Sequence, residues 1–308
     1  GHLLRLWVAS AGHRADLRIS SDILKQMAEV YRKIRNTFRY ILGNLSDFNP
    51  ATDSVAYADM PEIDRWALLR LEQVRERVTK AYDEYEFHSL YHTVHNFCTI
   101  DLSSIYLDIL KDRLYTAKAA SPDRRAAQTA MYEILHTLVI TMSPVLTFTS
   151  EEVWQHMPQV EGMPESVQLA AWPQARSSYL DAVLEEKWSA VLAIRGELTK
   201  ALEQARRAKV IGHSLDAKLT VYAAGDVYHR LVALSDELAT ILIVSQTDVI
   251  KGLESAPTDA FRSDEMSLAA AVTTAGGDKC ERCWMYSPTV GADAEHHTLC
   301  RRCSTALR

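Results

Sequence analysis

The sequence predicts a mainly α protein: an antiparallel helical bundle, then a small α+β unit, then a cysteine-rich knuckle. Three observations predict it. Long stretches repeat apolar residues every three or four positions, which gathers them on one face of a helix. Gly and Pro together number only 20 (11 and 9) in 308 residues, so few points interrupt those stretches. Two Cys-x2-Cys pairs stand sixteen residues apart near the C-terminal end.

The first long helix carries Ile23, Met27, Tyr31, Ile34, Phe38, Ile41 and Leu45, with Ser20-Ser21-Asp22 as capping oxygens before it and Asn49-Pro50 at its exit. The second carries Ile63, Ala67, Leu71, Val74, Val78, Tyr82 and Tyr85 behind Pro61. A third begins near Glu86 and runs through Val94, Phe97 and Leu102 towards Leu110. A fourth spans Pro122 to Met142 and is stopped by Pro144. Thr149 and Glu152 have the spacing of a capping box opening a short helix through Trp154. Tyr31, Phe38, Trp66, Tyr82 and Tyr85 fall at helical spacing and are expected in the core.

This places a bundle at 1–157, joined by short loops. Residues 158–177, with Pro158, Pro164 and Pro173, form a connector. Residues 178–275 hold a helix from Tyr179 to Arg207 and a small α+β unit. Its strands are expected at Lys218–Ala223, within Ala239–Lys251 and at Met266–Thr274, with a helix near Val227–Leu238. Gly276-Gly277 hinges into the tail, 276–308.

The composition is that of a soluble globular chain, 47% hydrophobic and 24% charged. The most apolar run, Leu138–Phe148, is too short to span a bilayer. The start shows no secretory pattern, so a cytoplasmic chain without membrane contact is expected. A net charge of −6 argues against a generic polyanion binder. Charge is uneven, however. Arg5–Tyr40 holds eight basic residues, Arg14 and Arg18 among them, against three acidic, and Arg195–Lys218 holds six against three. Patches of that size, not net charge, are what a polyanion feels within a Debye length.

Cys280/Cys283 and Cys300/Cys303 can each form a tight turn aiming two thiolates at one point, and two such turns complete a tetrahedron for Zn2+. Four thiolates close the coordination sphere, so one structural zinc is expected and no open catalytic position. Two disulfides are the alternative. The missing secretory pattern and the unpaired fifth cysteine, Cys98, weigh against it. His296 and His297 lie nearby but are not needed. A tail of about thirty residues cannot build a core alone, so the metal is expected to supply its folding energy.

The basic residues singled out for polyanion contact are Arg32, Arg35 and Arg39, one stripe of the first long helix; Arg206, Arg207 and Lys209, at the end of the helix after the connector; and Arg282, Arg301 and Arg302, within the metal turns. Trp284, directly after a metal turn, either covers the site or stacks on a base.

Read together, these motifs resemble class I aminoacyl-tRNA synthetases, and within them the isoleucyl enzymes. The resemblance rests on Leu4–Ser10, Asp16–Ser20, Tyr31–Tyr40, Ser143-Pro144 with Phe148–Trp154, Ala201–Gly212 with Ser214–Lys218, and the tail Cys280-Glu281-Arg282-Cys283-Trp284. It covers nearly the whole chain. Gly12-His13-Arg14 departs from the acidic stretch expected there. Both ATP-site signatures, His-x-Gly-His and Lys-Met-Ser-Lys-Ser, are absent, as is an editing domain. The resemblance therefore implies a C-terminal portion that recognises the anticodon stem-loop of an isoleucine tRNA, as a monomer and without DNA contact. ATP-dependent attachment of isoleucine would belong to the parent protein, and this portion alone would be inactive. Two other classes remain: a DNA-repair glycosylase, which also carries a C-terminal four-cysteine knuckle but needs an N-terminal catalytic amine, and a zinc-stabilised protein-interaction scaffold.

Overall fold

The computed structural model describes residues 1–11 and 19–308. Gly12–Arg14, residues 16–18 and the basic side chains of Arg14 and Arg18 lie outside the described residues. The chain divides into two compact units: Gly1–Leu110 with Ala119–Glu185, and Lys111–Lys118 with Glu186–Arg308.

The first unit is the helical bundle. It opens with α1 (His2–Ser10), α2 (Ser21–Asn44) and the single turn α3 (Pro50–Asp53). Ser20 has extended backbone and its Oγ accepts from the Ile23 N–H at 3.2 Å, so the predicted cap forms. Met27, Ile34, Phe38 and Ile41 are buried at the predicted spacing. Next, α4 (Glu62–Asp83) opens behind Pro61 and buries Ile63, Trp66, Leu69, Val74 and Val78.

Tyr85 corrects the expectation of a core residue: it is 67% exposed with φ +56°. The Glu86 N–H reaches back to the Ala81 carbonyl at 2.8 Å and the Tyr85 N–H to Tyr82. Tyr85 thus takes the left-handed position that closes a helix C-terminus, usually a glycine's place.

The predicted third helix is three consecutive pieces: α5 (Phe87–Asn96), ten residues of π-helix (Phe97–Tyr106) and α6 (Leu107–Thr116). The Ser103 hydroxyl donates to the Cys98 carbonyl and Ser104 to Thr99, each five residues back, at 2.7 and 2.8 Å. Those bonds favour the wider turn over the α-helix that apolar spacing suggests.

Helix α7 (Pro122–Met142) has the predicted bounds, with Ser121 capping the Arg124 N–H. Ala126, Ala127, Ala130, Ile134, Leu138 and Val139 are all buried, so this helix has little solvent face and forms the middle of the bundle. Helix α8 (Thr147–His156) begins two residues before the expected capping box. Thr149 is inside it and buried, its hydroxyl bonded to Tyr31 at 3.0 Å and to His2 at 3.1 Å. The expected capping box does not form, since α8 has no side-chain cap; Glu151 instead accepts from the Ser166 hydroxyl and the Val167 N–H and pins the connector.

The second unit is built on α9 (Ala182–Arg207). It starts three residues later than predicted because Asp181 caps the Val183 and Leu184 N–H groups. Then come β1 (Ala217–Ala223), α10 (Gly225–Ala233), α11 (Ser235–Leu242), β2 (Gln246–Lys251), β3 (Phe261–Arg262) and β4 (Leu268–Thr274). The predicted single helix at 227–238 is two, because Ser235-Asp236-Glu237 starts a new first turn rich in carboxylates. The sheet order is β2-β1-β4-β3, with β1 and β2 parallel and β4 antiparallel to β1. Helices α10 and α11 form the crossover a parallel pair requires. Leu198 and Leu202 of α9, Leu219 and Val221 of β1, and Leu238 and Leu242 of α11 share one core. The tail adds β5 (Asp278–Lys279), β6 (Tyr286–Ser287) and α12 (Arg301–Leu307). No helix among the described residues is long and apolar enough to cross a membrane.

Candidate metal centre and basic surfaces

The four knuckle cysteines converge. Cys280 and Cys283 bracket the turn between β5 and β6, Cys300 precedes α12 and Cys303 lies in its first turn. All four are buried and their sulfur atoms lie within 4.8 Å of one another. Cys283 Sγ and Cys300 Sγ are 3.8 Å apart, and four sulfurs at about 2.3 Å from one zinc lie about 3.8 Å apart along the edges of the tetrahedron. No cysteine is disulfide-bonded in this structure. Neither His296 nor His297 belongs to the cluster.

The thiols of the set differ: burial pushes those of Cys283 and Cys303 up, and Cys280 goes the other way. Burial pushes the Cys280 thiol up, but N–H groups of Cys283, Cys300 and Arg282 outweigh it and bring it down to about 6. Cys98 is the opposite case. Fully buried in the bundle, its thiol is pushed up to about 12, as fits a small core residue.

Met285, Val290 and Leu299 pack against the four cysteines. Trp284 does not belong to that cover: it is 62% exposed, in a left-handed conformation at φ +64°. The tail is seated on the α+β unit by backbone geometry. Gly277 has φ +91°, and a Cβ there would lie 2.4 Å from the Ser287 carbonyl carbon, so only glycine fits. Gln246 brackets Gly276, donating to its carbonyl and accepting from its N–H at 2.8 and 3.1 Å. Lys279 pairs with Asp216 at 3.7 Å.

The basic candidates separate by partner. Arg32 is paired to Glu29 at 2.6 Å, whereas Arg35 and Arg39 line an open cleft of about 650 Å3. Leu45, Phe48, Val153 and Met157 also line it, and His156 stands among them. Arg206 pairs with Glu203, and Lys209 is exposed with φ +58° just past the end of α9. Arg207 and Arg301 are exposed. Arg282 donates to the Thr116 carbonyl at 2.6 Å and Arg302 forks onto Asp112. Apolar spacing and charge counts alone do not single out the cleft, Asp112, or a second cleft of about 500 Å3 along the π-helical segment, lined by Arg70, Arg77, His92 and Asn96. Clefts and partners of this kind join residues far apart in sequence.

The chain thus carries a helical bundle with Arg35 and Arg39 at a cleft, then an α+β unit and a four-cysteine knuckle, the class of fold in which its relatives place it. Residues 64–221 match the family described as the anticodon-binding domain of tRNA ligase, and the chain belongs to that family. Residues 277–306 match a zinc finger found in FPG and IleRS. The chain is 52% identical over 307 residues to an isoleucine–tRNA ligase of Moorella thermoacetica, covering 99% of this chain and 33% of that protein. It is 54% identical to one from Desulforamulus reducens and 52% to one from Caldanaerobacter subterraneus, with the same coverage. The chain thus spans about a third of the length of the curated relatives it matches.

Proposed function

We propose that this chain is the tRNA-reading module of an isoleucine–tRNA ligase. The observation that carries the reading is the family match across the bundle into β1, in a chain whose bundle sets Arg35 and Arg39, without an ion-pair partner among the described residues, beside a cleft. The parent reaction is ATP-dependent attachment of isoleucine to its tRNA in the cytoplasm, with ATP bound outside this chain. The bundle, with Arg35 and Arg39, docks along the anticodon stem; Arg206, Arg207, Lys209 and Arg301 meet backbone phosphates. Cations of this kind fix register on an RNA backbone, while unstacked loop bases supply specificity. Trp284 presents an exposed ring as a stacking platform. Cys280, Cys283, Cys300 and Cys303 hold one structural zinc, which ties two turns together and leaves no position for substrate.

The glycosylase alternative keeps only the zinc-finger match at 277–306. The bundle match at 64–221 lies outside it. The deciding experiment is binding of the 308-residue monomer to tRNA transcripts differing only in the anticodon. Tighter binding of the isoleucine anticodon is expected; equal affinity for all transcripts, or none for any, sinks the reading.

A further inference from the structure

We propose that Arg302 is a positioning residue that couples metal loading of the knuckle to its seat on the last turn of α6. Arg302 directs its two guanidinium nitrogens at the two oxygens of Asp112, Nη2 donating to Oδ1 at 2.7 Å. The same Nη2 is 3.7 Å from the sulfur of Met285, which packs against the four cysteines two residues after Cys283. One side chain therefore touches a carboxylate 190 residues away and the apolar cover of the four cysteines. Arginine suits this place because its planar fork meets a carboxylate in two bonds and keeps donors for a second acceptor.

Arg282 supplies the second grip. It donates to the Thr116 carbonyl at 2.6 Å, one of the terminal carbonyls a helix leaves without an internal partner. Asp112 and Thr116 are four residues apart on one face of the helix end, and the Thr116 hydroxyl bonds Asp112 itself, its carbonyl at 2.8 Å and its carboxylate at 3.1 Å. Arg282 belongs to the turn Cys280–Cys283 and Arg302 to the turn Cys300–Cys303. Between the turns lie sixteen residues, 284–299, with only the short strand β6. One ion ligated by both turns sets the spacing of the two arginines, so the grip on Lys111–Lys118 is preorganised only when metal is bound. By linkage the grip must in turn hold the metal. The Met285 contact and the place of Arg302 in the turn Cys300–Cys303 put it in the shell around the ligands, a shell whose loss lowers metal affinity by roughly 10–100-fold in other sites.

The experiment uses the whole metal-loaded chain. Metal release to a chelator is followed for Asp112→Ala, Arg302→Gln, the double variant and Arg301→Gln. Release about tenfold faster is expected for each of the first two. The double variant should be no faster than the worse single, and Arg301→Gln should match the parent. With cobalt in the site, Arg302→Gln should shift the thiolate charge-transfer band, which a merely structural loss elsewhere does not move. In the other direction, amides of 111–118 should exchange faster when metal is removed from the unaltered chain, with those of β1 unchanged. Should Arg302→Gln not fold, Arg302→Lys carries the test, keeping the charge and losing the fork. Release within twofold of the parent for both single variants, additive effects, or exchange at 111–118 indifferent to metal would each overturn the coupling. A chain that binds no metal overturns it together with the zinc reading, and metal analysis separates that outcome from the others.

Discussion

At the scale of single residues, similar side chains do different work according to their partners. Arg32, Arg35 and Arg39 form one stripe of α2, yet Glu29 neutralises Arg32 while Arg35 and Arg39 face the cleft. Replacing both Arg35 and Arg39 by Ala is expected to weaken tRNA binding and to flatten log K against log salt by roughly two units, one per phosphate; Arg32→Ala should change the slope by less than half a unit. Titration of affinity over a range of salt checks this, and an unchanged slope for the double variant removes the cleft from the interface. A second residue argument concerns acid. The Arg124 guanidinium brings the Asp47 carboxyl down to about 2, with Gln128 donating to it and Arg125 nearby. A carboxylate whose pKa is depressed on folding adds stability above its unfolded value, and that stability is lost as pH falls through the folded one. Because the side chain is 41% exposed, screening leaves about 1 kcal/mol of the contribution. Asp47→Asn should therefore lower stability by that amount at pH 7, and denaturation of both chains at a series of pH values should show the gap closing between about pH 4 and 2.

At the scale of elements, bounds follow from local chemistry that periodicity does not carry. The start of α2 was legible from the capping oxygens at Ser20, and the bounds of α7 from Pro122 and Pro144. The π-helical segment was not, because its apolar residues still read as a helix and only the Ser103 and Ser104 hydroxyls select the wider turn. Tyr85 was misplaced because apolar spacing counts a residue inward even where the chain has begun to turn away. The joint at Gly277 is an element-scale feature with a sharp consequence. A Cβ there meets the Ser287 backbone at a φ that side chains avoid, so Gly277→Ala should cost about 2 kcal/mol or more in seating the tail. Metal titration should show weaker affinity while the helical melting of the bundle stays unchanged. Unchanged metal affinity would mean that the tail folds independently of this joint.

At the scale of the whole molecule, stability has two sources. The bundle rests on fully buried Phe38, Leu68, Leu90, Leu138 and Trp154, and the α+β unit on its own cluster around Leu198, Leu219 and Leu242. The knuckle has a small apolar shell, Met285, Val290 and Leu299, around its thiolates. A chelator in excess is therefore expected to unfold residues 276–308 and leave the helical signal of both units. Circular dichroism with hydrogen exchange by segment checks it, and loss of most helicity on chelation would show that the metal supports far more than its own tail.

The sequence by itself determined the four-cysteine cluster, the order of elements and the family resemblance, because each is written in short-range patterns: two cysteine turns, apolar residues at helical spacing, and motifs contiguous in the chain. Tertiary structure decided which cations gain partners, since Arg302 looks like an open phosphate contact until the fold brings Asp112 against it from 190 positions away. It also decided the π turn, the left-handed closure at Tyr85 and the cleft at Arg35 and Arg39. The physical reason is common to all of them. A charge or a hydroxyl chooses its partner by distance in space, and spacing along the chain records that distance only within a turn or two of helix.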